Sequence, residues 1–450
     1  MQALLSTGSN ARGQLASGDF EDLNKFSAGD APKNVTVLSI ATGSNHTLIL
    51  SESSTDAGIQ RQLWGAGDGS RGQLGPGYKE EQLRDGRLGQ TQFRQISLPL
   101  EALGLRNYSP KLIAATWETS YLVLTMDGTH DIILSMGSND FGDLGIGKTG
   151  VIKDPGLHVV SLSHLASRKG ISLETGTFCV KQVATGQRHV IFLIHAVDPH
   201  SPPRKQEVLV GWGSARHGQL GQNIVSPGSS LPLYVPLPAL VSLPPDALSQ
   251  NETIEMMALG IQHSLFLTSS GHLISLGSNR KGQLNLALHP PPGRILSIGS
   301  TWNGTYAVVA EGDELSLYSS GSNTHGQLGQ GYIGQQGSGV GTVTFSRRLD
   351  AHKSSVQIAC GTEHVLALVT EYQSDDHLDH ELWVWGWNEH GNLGTGTTSD
   401  TSTPIRIWSS TQNGRPDLLM NGIQCIKGLW AGSGTSWIAC QLIQQHGDAH

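Results

Sequence analysis

Gly8-Ser9-Asn10-Ala11-Arg12-Gly13-Gln14-Leu15 stands near the start of the chain, and six variants of it follow. They are Gly67-Asp68-Gly69-Ser70-Arg71-Gly72-Gln73-Leu74, Gly137 to Leu144, Gly213 to Leu220, Gly277 to Leu284, Gly321 to Leu328 and Gly386 to Leu393. A repeat of this kind sets the architecture in which every local motif must be read. A second element accompanies each turn. Its clearest copy is Ile40-Ala41-Thr42-Gly43-Ser44-Asn45-His46-Thr47-Leu48-Ile49-Leu50, and Gly-x-x-His recurs at His189, His263 and His364. Three copies lack the histidine and carry Trp117, Trp302 or Trp437 instead.

Around the turns lie short runs of β-branched and aliphatic residues bounded by Gly, Asn and Ser, the pattern of strands. Leu265 to Thr268 and His272 to Leu276 flank Ser269-Ser270-Gly271 as an evident hairpin. A small antiparallel sheet cannot bury both faces alone, so the copies must pack around an axis. The pattern predicts an all-β, seven-bladed β-propeller over residues 1–442, followed by a short tail, 443–450. The last element ends at Trp437-Ile438-Ala439-Cys440-Gln441-Leu442 with no strand after it. Ala3-Leu4-Leu5-Ser6-Thr7 can supply that strand from the other terminus and remove an open sheet edge.

Successive turns are 44 to 76 residues apart. The excess over the compact fifth repeat is expected in mobile loops: Tyr78–Gln95, Lys148–Thr177, Asp198–Glu207, Gln222–Asn251, Gly331–Ser355 and Tyr372–His380. None reads as a separate domain. Leu231–Pro245 is the most apolar of these stretches, and is expected to pack along the rim or to meet a partner.

Glycine makes up 57 of 450 residues, most of the excess in turns that need positive φ. Hydrophobic content of 37% with 15% charged residues describes a folded chain rather than a disordered one. A net charge of −8 argues against nucleic acid as a direct partner. Cys179, Cys360, Cys425 and Cys440 show no Cys-x-x-Cys spacing and read as thiols of a reducing compartment. The stretch before the first turn is too short for a signal peptide, and no apolar run approaches the ~20 residues of a membrane helix. A soluble intracellular protein, with no membrane association, is expected.

Local motifs are weak beside the repeat. Gly67-x-Gly69-x-x-Gly72 fits a dinucleotide fingerprint in letters, but it is a repeat turn and is expected to have no helix behind it. His46, His189, His263 and His364 hold equivalent places, as expected of structural histidines bonded inside a blade. His217, His325 and His390 read as turn residues. Asp375-Asp376-His377 with Asp379 and His380 reads as a solvated loop rather than a metal site. No catalytic constellation, metal site or cofactor site is identifiable, so a non-enzymatic role is expected. The tryptophans that break the pattern are either core replacements or a partner surface, since Trp is enriched among residues that dominate interfaces. The candidate partner-binding residues are Trp117, Trp302, Trp387, His390, Trp430 and Trp437.

The Gly-Ser-Asn-x-x-Gly-Gln-Leu-Gly turn with its Gly-x-x-His companion resembles the repeat of the regulator-of-chromosome-condensation superfamily, over essentially the whole chain. Trp385-Gly386-Trp387-Asn388-Glu389-His390-Gly391-Asn392 and Gly434-Thr435-Ser436-Trp437-Ile438 are similar to the end of the fungal α-tubulin suppressor group. Trp117-Glu118-Thr119-Ser120 looks like that group's second repeat. The long insertions depart from it. The narrower resemblance implies a non-enzymatic adaptor, cytoplasmic and nuclear, in a heterodimer with a small CSL-type zinc-finger electron carrier. Through that partner it would support diphthamide synthesis and Elongator-dependent modification of tRNA wobble uridine. The wider resemblance implies the alternative of a guanine-nucleotide exchange factor for a Ran-like small GTPase. The chromatin-bound member of the superfamily also has a basic tail before its propeller; the early first repeat and acidic charge here weigh against that alternative.

Overall fold

A computed structural model describes residues 2–56, 58–86, 88–150, 156–165, 178–197, 205–221, 230–249, 251–334, 339–374, 377–412, 420 and 422–443. Within them the chain forms seven antiparallel sheets in a ring, a seven-bladed β-propeller. The innermost strands are Thr36–Thr42, Ser109–Ala115, Phe178–Thr185, Ile254–Leu259, Arg294–Ser300, Ser354–Cys360 and Ile423–Ala431, in blades 1 to 7. Each touches the next around the axis, and blade 7 returns to blade 1. Strand order in a blade runs outward along the chain, as in Thr36–Thr42, His46–Thr55, Gly58–Gly67 and Gln90–Gln95 of blade 1. Blade 7 departs from this in the expected way. Gln2–Gly8 pairs with Thr435–Leu442 from Gln2 opposite Gln441 to Gly8 opposite Thr435, and Leu23–Ala28 adds the outer strand.

The repeated turn is held by its own side chains. In five blades the Asn Oδ1 accepts the Leu N–H five residues on, as from Leu15 to Asn10 at 2.9 Å and from Leu393 to Asn388 at 2.8 Å. The Gln Oε1 accepts the N–H two residues back, as from Arg12 to Gln14 and Lys281 to Gln283. The glycine between them has φ near +80° at Gly13, where a side chain would strain the backbone.

Blades are joined through the carbonyl of that Gln position. Ser120 Oγ of blade 2 donates to Gln73 O at 2.7 Å, and His46 Nε2 of blade 1 stands 2.9 Å from the same hydroxyl. Because the hydroxyl hydrogen is committed to the carbonyl, Nε2 is the donor to Ser120. His189–Ser264–Gln219 and His364–Ser436–Asn392 repeat the chain, and His263 with Thr305 and Gln283 gives a looser copy. The imidazole lies on the Gly of its own turn: a Cβ on Gly43 would meet His46 Cε1 at 2.1 Å. That contact is why Gly and His travel together. Blades 2 and 5 carry Thr116 and Thr301 at the Gly position and no histidine. The next blades there offer Val190 and Val365 instead of a hydroxyl. The carbonyl is met another way: Tyr121 and Trp212 both donate to Asp143 O at 2.7 Å, and Tyr306 and Trp385 donate to Gln327 O.

Several expected loops are structured. Pro76–Asp85 is an α-helix behind the Gly67–Gly72 turn, contrary to the expectation of none. Pro at its start and helix-forming Lys79 to Leu83 favour it. It does not create a phosphate site: Gln82 Oε1 accepts the Gly69 N–H and Asp68 Oδ1 the Ser70 N–H. Gln90–Gln95 and Tyr234–Leu240 are outer strands, the second within the apolar Leu231–Pro245 stretch. Pro236 and Pro238 hid it, but an edge strand tolerates proline. Short outer strands at Gly341–Thr342 and Leu349–Asp350 interrupt the 331–355 loop, and Tyr372–His380 belongs to a long hairpin. Blade 4 has three strands among the described residues. Within 148–177, His158–Val159 is a short outer strand of blade 2; residues 151–155, 166–177, 198–204, 222–229, 250, 375–376 and 444–450 lie outside the described residues.

Burial lowers the pKa of His46, His263 and His364 to about 4 and of His189 to about 3. Their unfolded values lie near 6.5, so the unfolded state binds more protons and stability falls as pH drops from about 6.5 to 4. Asp143 and Glu363, raised by burial, oppose this. The four histidines outnumber the two opposing carboxyls, so urea midpoints measured at pH 7, 6 and 5 are expected to decline. Deleting residues 1–8 is expected to expose Thr435–Leu442 as an open edge. Size-exclusion chromatography and thermal melts should then show aggregation and loss of the cooperative transition.

Candidate partner-binding face

Two turns per blade emerge on one face of the ring: the Gly-x-x-His turn beside the axis and the Gly-Gln-Leu turn further out. Backbone hydrogen bonds link the inner turns around the channel mouth. Ser44 N donates to Trp117 O, Trp117 N to Gln187 O, Ile261 N to Trp302 O, and Trp302 N to Thr362 O, all at 2.8 to 2.9 Å. Trp117 and Trp302 are therefore fixed by their main chains. Their rings meet across the axis, with centroids 5.7 Å apart and planes tilted by 44°. The cavity they share with Gly186, Thr362 and Gly432 is about 140 Å³. Ligand pockets for small molecules run to ~300 Å³ or more. The mouth is plugged by indole rings rather than open as a binding cavity.

A second cluster lies on the outer turns of blades 5 to 7. The ring of Trp387, half-buried, has His390 at 5.3 Å and His325 at 6.4 Å, both edge-on. Each histidine is held by an aspartate of the following blade: His325 Nδ1 to Asp400 Oδ2 at 2.8 Å, His390 Nδ1 to Asp22 Oδ2 at 2.6 Å. The other oxygens accept backbone N–H groups, Asn388 on Asp400 and Asn10 on Asp22. The carboxylates thus fix both imidazoles against Trp387. The sequence reading makes His325 a turn residue and does not mark Asp22 or Asp400. A readable signal existed, since each aspartate directly precedes the outer strand of its blade.

The six candidate residues do not form one site. Trp117 pairs with Trp302, and Trp387 pairs with His390. Trp437 is a correction: its side chain is 1% exposed and packs on Phe93 with centroids 5.9 Å apart, so it is core. Its blade has no histidine, and the indole fills the space between blades 7 and 1. Trp430 packs against the same cluster, its ring lying over Gly428, where a Cβ would meet it at 2.2 Å. The two remaining pairs are what a partner can reach. Among the described residues no group of three or more His, Cys, Asp or Glu side chains could hold a metal. Replacing Trp117 and Trp302 by alanine, singly and together, is expected to show a coupling of about 1 kcal/mol in denaturant unfolding, as for other aromatic pairs.

Residues 379–416, which include the blade 6 turn, match the regulator of chromosome condensation (RCC1) repeat. The secretion-regulating guanine nucleotide exchange factor of Mus musculus is 27% identical over 467 residues, covering 98% of this chain and 84% of its own. The ultraviolet-B receptor UVR8 of Arabidopsis thaliana is 27% identical over 420 residues, covering 91% and 78%. Prp20p from Saccharomyces cerevisiae, whose structure is described with its binding to Gsp1p and histones, superposes with a TM-score of 0.66 at 19% identity, covering 99% and 92%. The chain is a seven-bladed β-propeller that shares the fold of Prp20p.

Proposed function

We propose that this propeller is a guanine-nucleotide exchange factor that receives a small GTPase on its loop face. The observation that carries this is the alignment of a mammalian guanine nucleotide exchange factor along 98% of the chain. Exchange requires no catalytic side chain. A protein that binds the nucleotide-free GTPase more tightly than the loaded form must, by linkage, weaken nucleotide binding. A rigid broad surface suits that task, and here the inner turns are tied by main-chain bonds and the indoles of Trp117 and Trp302 fill the axis.

The adaptor for a CSL-type zinc-finger protein, serving diphthamide synthesis and wobble-uridine modification, is the second reading. It rests on the resemblance of the last repeat, and its supporting observation is that Trp387 and His390 share an accessible cluster. Under either reading the chain works in the cytoplasm or nucleus as a binding protein.

Release of a fluorescent guanine nucleotide from a panel of small GTPases, with the chain in catalytic amounts, separates the two. The expected result is an acceleration of about tenfold or more for one GTPase, reduced by Trp302→Ala. If no GTPase responds and tagged chain instead recovers a CSL zinc-finger protein from extract in a Trp387-dependent manner, the exchange function is refuted and the adaptor stands.

A further inference from the structure

The loop face is not electrically uniform. From Val208 to Pro245, and again from Met256 to Ala310, the sequence contains no Asp or Glu, although the chain as a whole carries −8. These stretches supply the outer turns of blades 3 and 4, which carry Arg216, half-buried His217, Arg280 and Lys281. The inner turn of blade 3 adds Arg188. Arg216, Arg280 and Lys281 are exposed, and among the described residues none of them forms an ion pair. His217 is lowered in pKa by partial burial and then by the charges of Arg216 and Arg280, which places both guanidinium groups within range of one imidazole. The Arg188 guanidinium lies 4.3 Å over the Phe141 ring and is held there by a cation–π contact. On these blades Glu207 and Glu252 belong to the strand ends on the opposite face, where Glu207 bonds His195 at 2.9 Å; the acids within range of the cations, Asp143 near Arg188 and Glu363 near Lys281, are largely buried, and that burial raises their pKa.

An apolar side chain borders the cations. Ala215 N donates to Leu233 O at 3.0 Å, which sets Leu233 beside Arg216 with 60% of its surface exposed. Exposed cations gathered outside ion pairs, on an otherwise acidic protein, are a specific electrostatic feature rather than general solubility.

We propose that this patch on blades 3 and 4 docks a short acidic polypeptide segment of the partner, with an apolar residue of that segment on Leu233. It deepens the partner-platform function above and rests on the loop face being the partner face. A short peptide fits better than nucleic acid. A long polyanion extends past the patch by more than the ~8 Å screening length and meets the net negative protein. Leu233 also offers contact that a phosphate backbone does not use.

Fluorescence anisotropy on the full chain tests this with a labelled Glu/Asp-rich peptide containing one Leu, its Lys-rich counterpart, and single-stranded DNA of equal charge. The acidic peptide is expected to bind, and to bind more weakly as salt rises. Arg216→Glu with Arg280→Glu should weaken it about tenfold or more, while Lys33→Glu, exposed on the opposite face, leaves it unchanged. Should the double reversal fail to fold, Arg216→Gln with Arg280→Gln gives the same comparison with a smaller loss. No binding by the folded chain, equal weakening by Lys33→Glu, or DNA binding tighter than peptide binding would overturn the proposal. The assay needs no GTPase. Peptide binding without nucleotide release refutes exchange alone; nucleotide release without peptide binding refutes the patch alone.

Discussion

The backbone carbonyl at the Gln position of each turn is the point on which the ring depends. It is buried between blades, and a buried carbonyl without a donor costs about 1–3 kcal/mol. In five blades the neighbouring hydroxyl meets it: Thr47 on Gln14, Ser120 on Gln73, Ser264 on Gln219, Thr305 on Gln283 and Ser436 on Asn392. In the other two, a tyrosine of the same blade and a tryptophan of the next supply donors. The two chemistries exclude one another locally. A histidine needs the Gly beneath it and a hydroxyl ahead of it; where Thr116 or Thr301 replaces the Gly, the aromatic solution takes over.

That exchange also shapes the loop face. Blades 2 and 5 are the ones released from the histidine arrangement, and they are the ones that send Trp117 and Trp302 to the axis. The irregular blades therefore close the channel while the regular ones carry the frame. Further out, the His325–Asp400 and His390–Asp22 pairs lock imidazoles around Trp387 on blades 5 to 7, and blades 3 and 4 display exposed cations. One face thus holds an aromatic centre on the inner turns, and a histidine–aspartate sector and a cationic sector on the outer turns.

Where expectation and structure part, local composition was misleading for a definable reason. Tyr234–Leu240 contains two prolines, yet an outer strand leaves one edge unpaired and accepts them. Pro76–Asp85 is a helix inside an insertion, and its existence follows from its own helix formers rather than from the repeat. Trp437 breaks the repeat as conspicuously as Trp387 does, but the two side chains go to opposite environments. Spacing along a strand tells that a residue is unusual. It does not tell whether the neighbouring blade leaves room for it.

By itself the sequence determined the blade count and the closure of the ring by the N-terminal strand, because these follow from short-range turn chemistry repeated in order. The structural role of the four histidines was legible for the same reason: each is one position of a repeat. Only the tertiary structure decided which exceptional residues meet. Trp117 and Trp302 are far apart in the chain and adjacent at the axis, and His390 finds Asp22 across the junction of the termini. Ring closure converts sequence distance into angular position, and the contacts on the loop face exist only once the angles are set.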